Sequence, residues 1–136
     1  MTDPHPGELP IQSEADIVMA RRAVRNAATA LGFGITDVTR IVTAASELTR
    51  NIYQYAKSGA MRWRRLDVSD RVGLELVFED HGPGIPDVGR AMEKGFSSSK
   101  GLGMGLPGAK RLMDEMSVWS EVGKGTTVQV RKWLKK

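Results

Sequence analysis

The spacing of apolar residues changes at Ser58-Gly59, and that change limits the possible folds more than any other feature of the chain. Before it, Ile41, Ala45, Leu48, Ile52 and Tyr55 recur with a helical period. They predict a helix over about residues 37–57, with Thr36 as its cap. An earlier helix is predicted from Ser13 to about Leu31, with Ile17, Ala20, Val24, Ala28 and Leu31 on one side. Ser13 and Asp16 resemble a capping box, with Asp in place of the usual Glu or Gln. Gly32 and Gly34 stop that helix. After Gly59 the period is two. Met61 and Trp63 alternate with Arg62 and Arg64, and Val72, Leu74, Leu76 and Phe78 alternate with Gly73, Glu75 and Glu79. Ser69-Asp70 makes the hairpin turn between these two strands. Leu9–Ile11 suits an edge strand, Pro107 suits the first turn of a third helix running to about Met116, and Ser117–Glu121 and Thr126–Leu134 suit two closing strands around a turn at Gly123–Gly125. The order β-α-α-β-β-loop-α-β-β predicts an α+β fold. Its expected form is a two-layer sandwich, a mixed, mostly antiparallel sheet covered on one face by helices. One domain over residues 1–136 is expected, with a short polar leader at 1–8.

Composition removes whole classes of function. There is no cysteine, which excludes disulfide scaffolds, zinc fingers, iron–sulfur sites and thiol nucleophiles. His5 and His81 are the only histidines, too few for a His-rich metal site. No apolar run approaches a membrane span, and the first ten residues lack the basic and apolar regions of a signal peptide. The net charge of +4 is concentrated. Lys124, Arg131, Lys132, Lys135 and Lys136 share the last stretch with no acid, and Arg62, Arg64 and Arg65 form a second cluster. These read as a strand edge and a solvated tail. A nucleic-acid surface is the sharper alternative, but Trp63 and Trp133 read as half-buried core rather than as stacking platforms.

Eight of the fifteen glycines lie between Gly82 and Gly108. Glycine is costly to order, so this density marks backbone that turns sharply or approaches a ligand. Asp80-His81-Gly82-Pro83-Gly84 follows an apolar strand; its carboxylate suits an amino group such as adenine N6, and a plain turn is the simpler reading. His81 reads as an exposed loop residue. Gly101, Gly103 and Gly105 precede a helix, with Lys100 just before them, and such a loop makes an anion site. The match of Gly103-x-Gly105-x-x-Gly108 to the dinucleotide fingerprint fails on context: no buried strand precedes it and no acidic residue follows at the required distance. Neither a Walker A sequence nor the eukaryotic-type kinase motifs occur. Glu47 and Asn51 stand one turn apart on the second helix, at the rim of its apolar stripe. They offer oxygen ligands for a hard cation, or a carboxylate that takes a proton from a hydroxyl. Alternatively they are a solvent-side pair, with Glu47 bridged to Arg50 or Arg40. Thr126, after Gly125, either bonds a ligand or is an ordinary strand residue.

Taken in order, Glu47-x-x-x-Asn51, Asp80-x-Gly82-x-Gly84, Gly101-x-Gly103-x-Gly105 and Gly125-Thr126 resemble the Bergerat-fold ATP site of the GHKL superfamily. The chain has no phosphoacceptor-His helix and no room for a transducer domain. Ser46-Glu47-Leu48, Gly82-Pro83-Gly84-Ile85-Pro86-Asp87, Gly95-Phe96-Ser97 and Gly105-Leu106-Pro107-Gly108 are similar to the RsbT-type serine/threonine switch kinases of the bacterial stressosome. The stretch between the Gly boxes, about residues 86–100, is short as in those kinases, with a short helix expected near 88–93.

That resemblance implies a cytoplasmic, ATP- and Mg²⁺-dependent protein serine/threonine kinase. It implies STAS-domain scaffold and antagonist proteins as substrates in partner switching, and a serine phosphatase activated on release. Neither membrane nor nucleic acid is an expected partner. By the same resemblance Asn51 ligates Mg²⁺ and Glu47 orients or deprotonates the attacking hydroxyl. Asp80 binds adenine N6, with Gly82 in the same turn, and Gly84 makes room for the ring. Lys100, Gly101, Gly103 and Gly105 serve the phosphates, and Thr126 completes the adenine pocket. Arg21, at the edge of the first helix's stripe, resembles an arginine directed at the partner and γ-phosphate; the simpler reading is a snorkelling side chain. The alternative function is an anti-sigma factor that sequesters a sigma subunit and phosphorylates its STAS antagonist.

Overall fold

Strand β1 spans Gly7–Ile11, helix α1 Glu14–Leu31, helix α2 Ile35–Asn51, strand β2 Gly59–Val68 and strand β3 Arg71–Asp80. Helix α3 spans Leu106–Leu112, strand β4 Glu115–Glu121 and strand β5 Gly125–Trp133. This is a computed structural model, and it describes residues 7–85 and 106–135. The expected helix near 88–93, the 86–100 stretch, Lys100, Gly101, Gly103 and Gly105 lie outside the described residues. The strands form one sheet in the order β1-β2-β3-β5-β4. The expected sheet was mixed and mostly antiparallel; among the described residues every pairing is antiparallel.

The helices form where the sequence places them, and the differences have local causes. Asp16 accepts from the backbone N–H groups of Gln12 (2.8 Å) and Ser13 (3.1 Å), which fixes the start of α1. Its buried side is Ile17, Ala20, Val24, Ala27 and Ala28; Leu31 is only half-buried. Helix α2 starts at Ile35 rather than near Asp37. Gly34, not Thr36, is its N-cap, because the Val38 N–H bonds Gly34 O at 2.9 Å and draws Ile35 into the first turn. The expected helix to Lys57 stops at Asn51 and widens into a π-helical turn, Ile52–Ala56. That turn is closed by the Lys57 N–H on Ile52 O at 2.9 Å. Helix α3 ends at Leu112 instead of Met116. There Asp114 is captured by β5: its N–H donates to Arg131 O (2.9 Å) and its carboxylate accepts from the Trp133 N–H (2.8 Å). Strand β4 therefore starts at Glu115. Gly7 and Glu8, read as leader, pair with Trp63 and Arg62 in β1.

The core lies between the sheet and the helices. Ile11, Met61, Leu74, Leu76, Phe78 and Val130 meet Val24, Ile41, Ala45 and Leu48 there, and all are essentially inaccessible. The basic clusters find partners on the fold itself. Arg62 bonds Glu79 (3.0 Å), Arg64 and Arg131 bond Glu75 (2.8 and 2.9 Å), and Arg65 bonds Asp67 (3.0 Å). Lys132 is buried and donates to Leu112 O at 2.8 Å. Trp63 is half-buried and Trp133 is buried, with Arg71 stacked over the Trp133 ring at 3.9 Å. No helix of the described residues is long and apolar enough to cross a membrane.

Candidate active site

The β3–β5 register sets Asp80 opposite Thr126 at one end of the sheet, with Phe78 and Val128 one step below. Helix α2 and its π-helical turn lie over that end. Asn51, Ile52, Tyr55 and Ala56 from the helical side face Asp80, Gly84, Ile85 and Thr126 from the sheet side across a mostly apolar cleft. Leu48, Phe78, Pro83, Leu106 and Val128 complete its walls. The π-helical turn matters here. It carries Tyr55 and Ala56 on a wider coil than an α-helix, so both reach the cleft behind Asn51.

Asp80 is the centre of the polar network. Its Oδ1 accepts from the Gly82 N–H at 2.9 Å and the Thr126 N–H at 3.2 Å. Two neutral donors hold one oxygen, and among the described residues Oδ2 has no partner. A fixed carboxylate with a free oxygen in an apolar cleft suits a ligand N–H. Gly84 lines the cleft, but the space beside its α-carbon is not left for a ring. With φ of +80° it adopts a conformation that side chains rarely take, and a Cβ there would meet the Glu121 carbonyl. Gly125, at φ +126°, would likewise press a Cβ into the Asp80 backbone, so glycine there permits the close crossing of β3 and β5.

The structure gathers Asn51, Asp80, Gly84 and Thr126 in one cleft and sets Gly82 on the Asp80 carboxylate. Glu47 and Arg21 are not in its lining. Glu47 lies one turn before Asn51, its side chain 38% exposed, with Arg50 at 3.5 Å. Arg21 is exposed, so its charge sits in water rather than against the apolar stripe. His81 is exposed, as a loop residue would be. Ile85, Tyr55 and Ser120 have no place in the site as read from sequence, although Ile85 stands in the Gly82–Asp87 motif. Tyr55 was read as the end of a core stripe, and nothing in the local sequence of β4 distinguishes Ser120 from other strand serines. Mg²⁺ fits the donor set. An amide oxygen such as that of Asn51 is a hard ligand, and Mg²⁺ on a nucleotide takes few protein oxygens because phosphates and water supply the rest. Among the described residues no three His, Cys, Asp or Glu gather into a self-sufficient metal site.

A family model described as the histidine kinase-like ATPase domain matches residues 11–132. The chain belongs to that family, and the antiparallel sheet with its helical cover and cleft agree with it. Within the family it is a protein-serine/threonine kinase similar to the serine/threonine-protein kinase RsbT of Bacillus subtilis strain 168. The two are 54% identical over 125 residues, covering 92% of this chain and 94% of that one. The anti-sigma F factor of Caldanaerobacter subterraneus is 33% identical over 121 residues, covering 85% of this chain and 83% of that one. A crystal structure of the RsbU and RsbW domains of a Mycobacterium tuberculosis protein shares the fold, with a TM-score of 0.62 at 16% identity. It aligns with 95% of this chain, which spans 32% of that longer one.

Proposed function

We propose that the cleft binds ATP with Mg²⁺, and that the kinase phosphorylates a serine or threonine on STAS-domain scaffold and antagonist proteins of a cytoplasmic partner-switching system. One observation carries the nucleotide assignment: Asp80 is locked by two backbone N–H groups and keeps one carboxylate oxygen for a donor inside an apolar cleft. Adenine N6 is such a donor. Thr126 is beside it, and Gly82 supplies one of the two locking bonds. Mg²⁺ neutralises phosphate charge, and Asn51 is the residue that would hold it. Glu47, one turn earlier and partly exposed, is where a partner's hydroxyl can be met. As the hydroxyl oxygen bonds the γ-phosphorus, the bond to the ADP oxygen breaks and Glu47 takes the proton. Such transfer asks mainly for positioning and charge neutralisation. Lys100, Gly101, Gly103 and Gly105 are assigned to the phosphates and Arg21 to the partner by resemblance alone.

Activation of a serine phosphatase upon release, within a stressosome, belongs to the same reading. The relatives favour it over an anti-sigma role, since identity with the RsbT kinase is 54% against 33% with the anti-sigma F factor. The test is incubation with labelled ATP, Mg²⁺ and a STAS protein from the same genome, followed by mapping of the phosphate. Label on a Ser or Thr of the STAS protein is expected. Capture of a sigma subunit in a pull-down, with no phosphatase retained, would favour the anti-sigma role.

A further inference from the structure

Ser120, near the end of β4, bonds three residues with one hydroxyl, two of which, Ile85 and Thr126, line the cleft. Its Oγ accepts from the Ile85 N–H at 2.7 Å, donates to Gly125 O at 3.1 Å and shares a bond of 2.9 Å with Thr126 Oγ1. A hydroxyl has one proton and two lone pairs. With its proton on Gly125 O, Ser120 has only lone pairs left, one for Ile85 and one for Thr126. Thr126 must then be the donor in the shared bond. Its own proton is spent, and its oxygen meets the cleft with lone pairs alone. Asp80 Oδ2 beside it is also an acceptor. The wall formed by these two side chains then offers acceptors and no hydroxyl donor.

We propose that Ser120 is a positioning residue that fixes the Thr126 hydroxyl as an acceptor, so that the cleft selects a purine carrying a 6-amino group over one carrying a 6-oxo group. The inference rests on the ATP reading above and adds a residue to it. Asp80 alone disfavours an oxo group, but a free Thr126 hydroxyl could turn and donate to that oxygen, relieving part of the penalty. Ser120 removes that escape. The fold does not depend on the Ser120 hydroxyl to dock the 82–85 turn, because the Gly123 N–H also bonds Pro83 O at 2.8 Å. The β4–β5 ladder from Glu115 to Glu121 is a backbone matter.

The experiment measures dissociation constants of ATP and inosine triphosphate for the wild type, Ser120→Ala, Ser120→Thr, Thr126→Val and the Ser120→Ala/Thr126→Val double variant. Wild type should prefer ATP. Ser120→Ala should reduce that preference by about three- to tenfold, the worth of one hydrogen bond, mainly through better inosine triphosphate binding. Ser120→Thr should keep the wild-type ratio. With Thr126→Val in place, Ser120→Ala should change the ratio no further. Equal weakening of both nucleotides by Ser120→Ala would make Ser120 a mere wall and overturn the proposal, as would the same change of ratio in the Thr126→Val background. If Ser120→Ala does not fold, Ser120→Cys keeps nearly the same volume with a poorer acceptor for the Thr126 hydroxyl and must show a reduced ratio; an unchanged ratio overturns the proposal. A wild type that binds neither nucleotide, or both equally, overturns the ATP reading itself and Ser120's role with it.

Discussion

Glu75 and Asp80 stand five residues apart on β3, both carboxylates, and the fold treats them in opposite ways. Glu75 faces Arg64 and Arg131 at 2.8 and 2.9 Å and is only 5% exposed. Burial pushes its pKa up, but the hydrogen bonds and charges of the two guanidinium groups outweigh that and hold it below the ordinary range. The same contact raises the pKa of Arg64. Asp80, on the other face, has no cation among its partners in the described residues. Two backbone N–H groups fix one oxygen and leave the other open. A carboxylate saturated by arginines is committed to holding strands together. One held by neutral donors is oriented without being used up.

Four substitutions probe that division. The largest effect is expected at a third carboxylate, Glu47, which neither saturates a network nor lines the cleft. Glu47→Ala should slow phosphotransfer by roughly 10²–10⁴-fold while ATP affinity barely moves, because a positioned base acts mostly in the transition state. A phosphotransfer time course beside an ATP titration checks this; parallel loss of both would move Glu47 into the metal site. Asp80→Asn should weaken ATP binding by about ten- to a hundredfold and narrow the gap between ATP and GTP, whose O6 is an acceptor like the carboxylate. Its melting temperature should change less than its affinity does. Asn51→Ala should reduce the Mg²⁺-dependent tightening of ATP by about tenfold with the fold retained; a collapse in stability with Mg²⁺ dependence intact would make Asn51 structural.

Glu75→Gln should have no effect on ATP affinity. It should cost about 1–2 kcal/mol of stability at neutral pH, a modest figure because Arg64 is largely exposed. The pKa of Glu75 is lowered on folding, so its stabilisation is fully present above its ordinary carboxyl range. It is lost as pH falls through the lowered value. The wild type and Glu75→Gln should therefore converge in denaturant titrations once the pH lies below that lowered value. A difference that persists there would mean that shape, not charge, holds Glu75.

The sequence contained more of the fold than of the site. Period and turn signals placed both long helices and the strand hairpins, because amphipathic burial decides those elements locally. The ends of α2 and α3 were not legible. A π-helical turn depends on what the helix packs against, and Asp114 leaves the helical path for partners on β5, seventeen residues or more away in the chain. Asn51, Asp80 and Thr126 were legible as residues; the β3–β5 register brings Asp80 to Thr126, and the end of α2 brings Asn51 over them. Two roles were not. Gly84 looked like space for a ring, yet its constraint is the Glu121 backbone behind it. Ser120 looked like any strand serine, because its importance lies in three partners brought together only by folding.

The bond from the Thr126 N–H to Asp80 spans 46 residues. It therefore sets an order of events during synthesis. A growing chain that has passed Asp80 can already pair β2 with β3, since their hairpin is local. It cannot lock the carboxylate or close the far wall until β5 has emerged and come back alongside β3. Every chain interrupted before Thr126 thus lacks the β5 wall of the cleft, and only the Gly82 N–H is left to hold the carboxylate. For an enzyme whose output is a signal, this makes the finished cleft wait on the strand made last among those described.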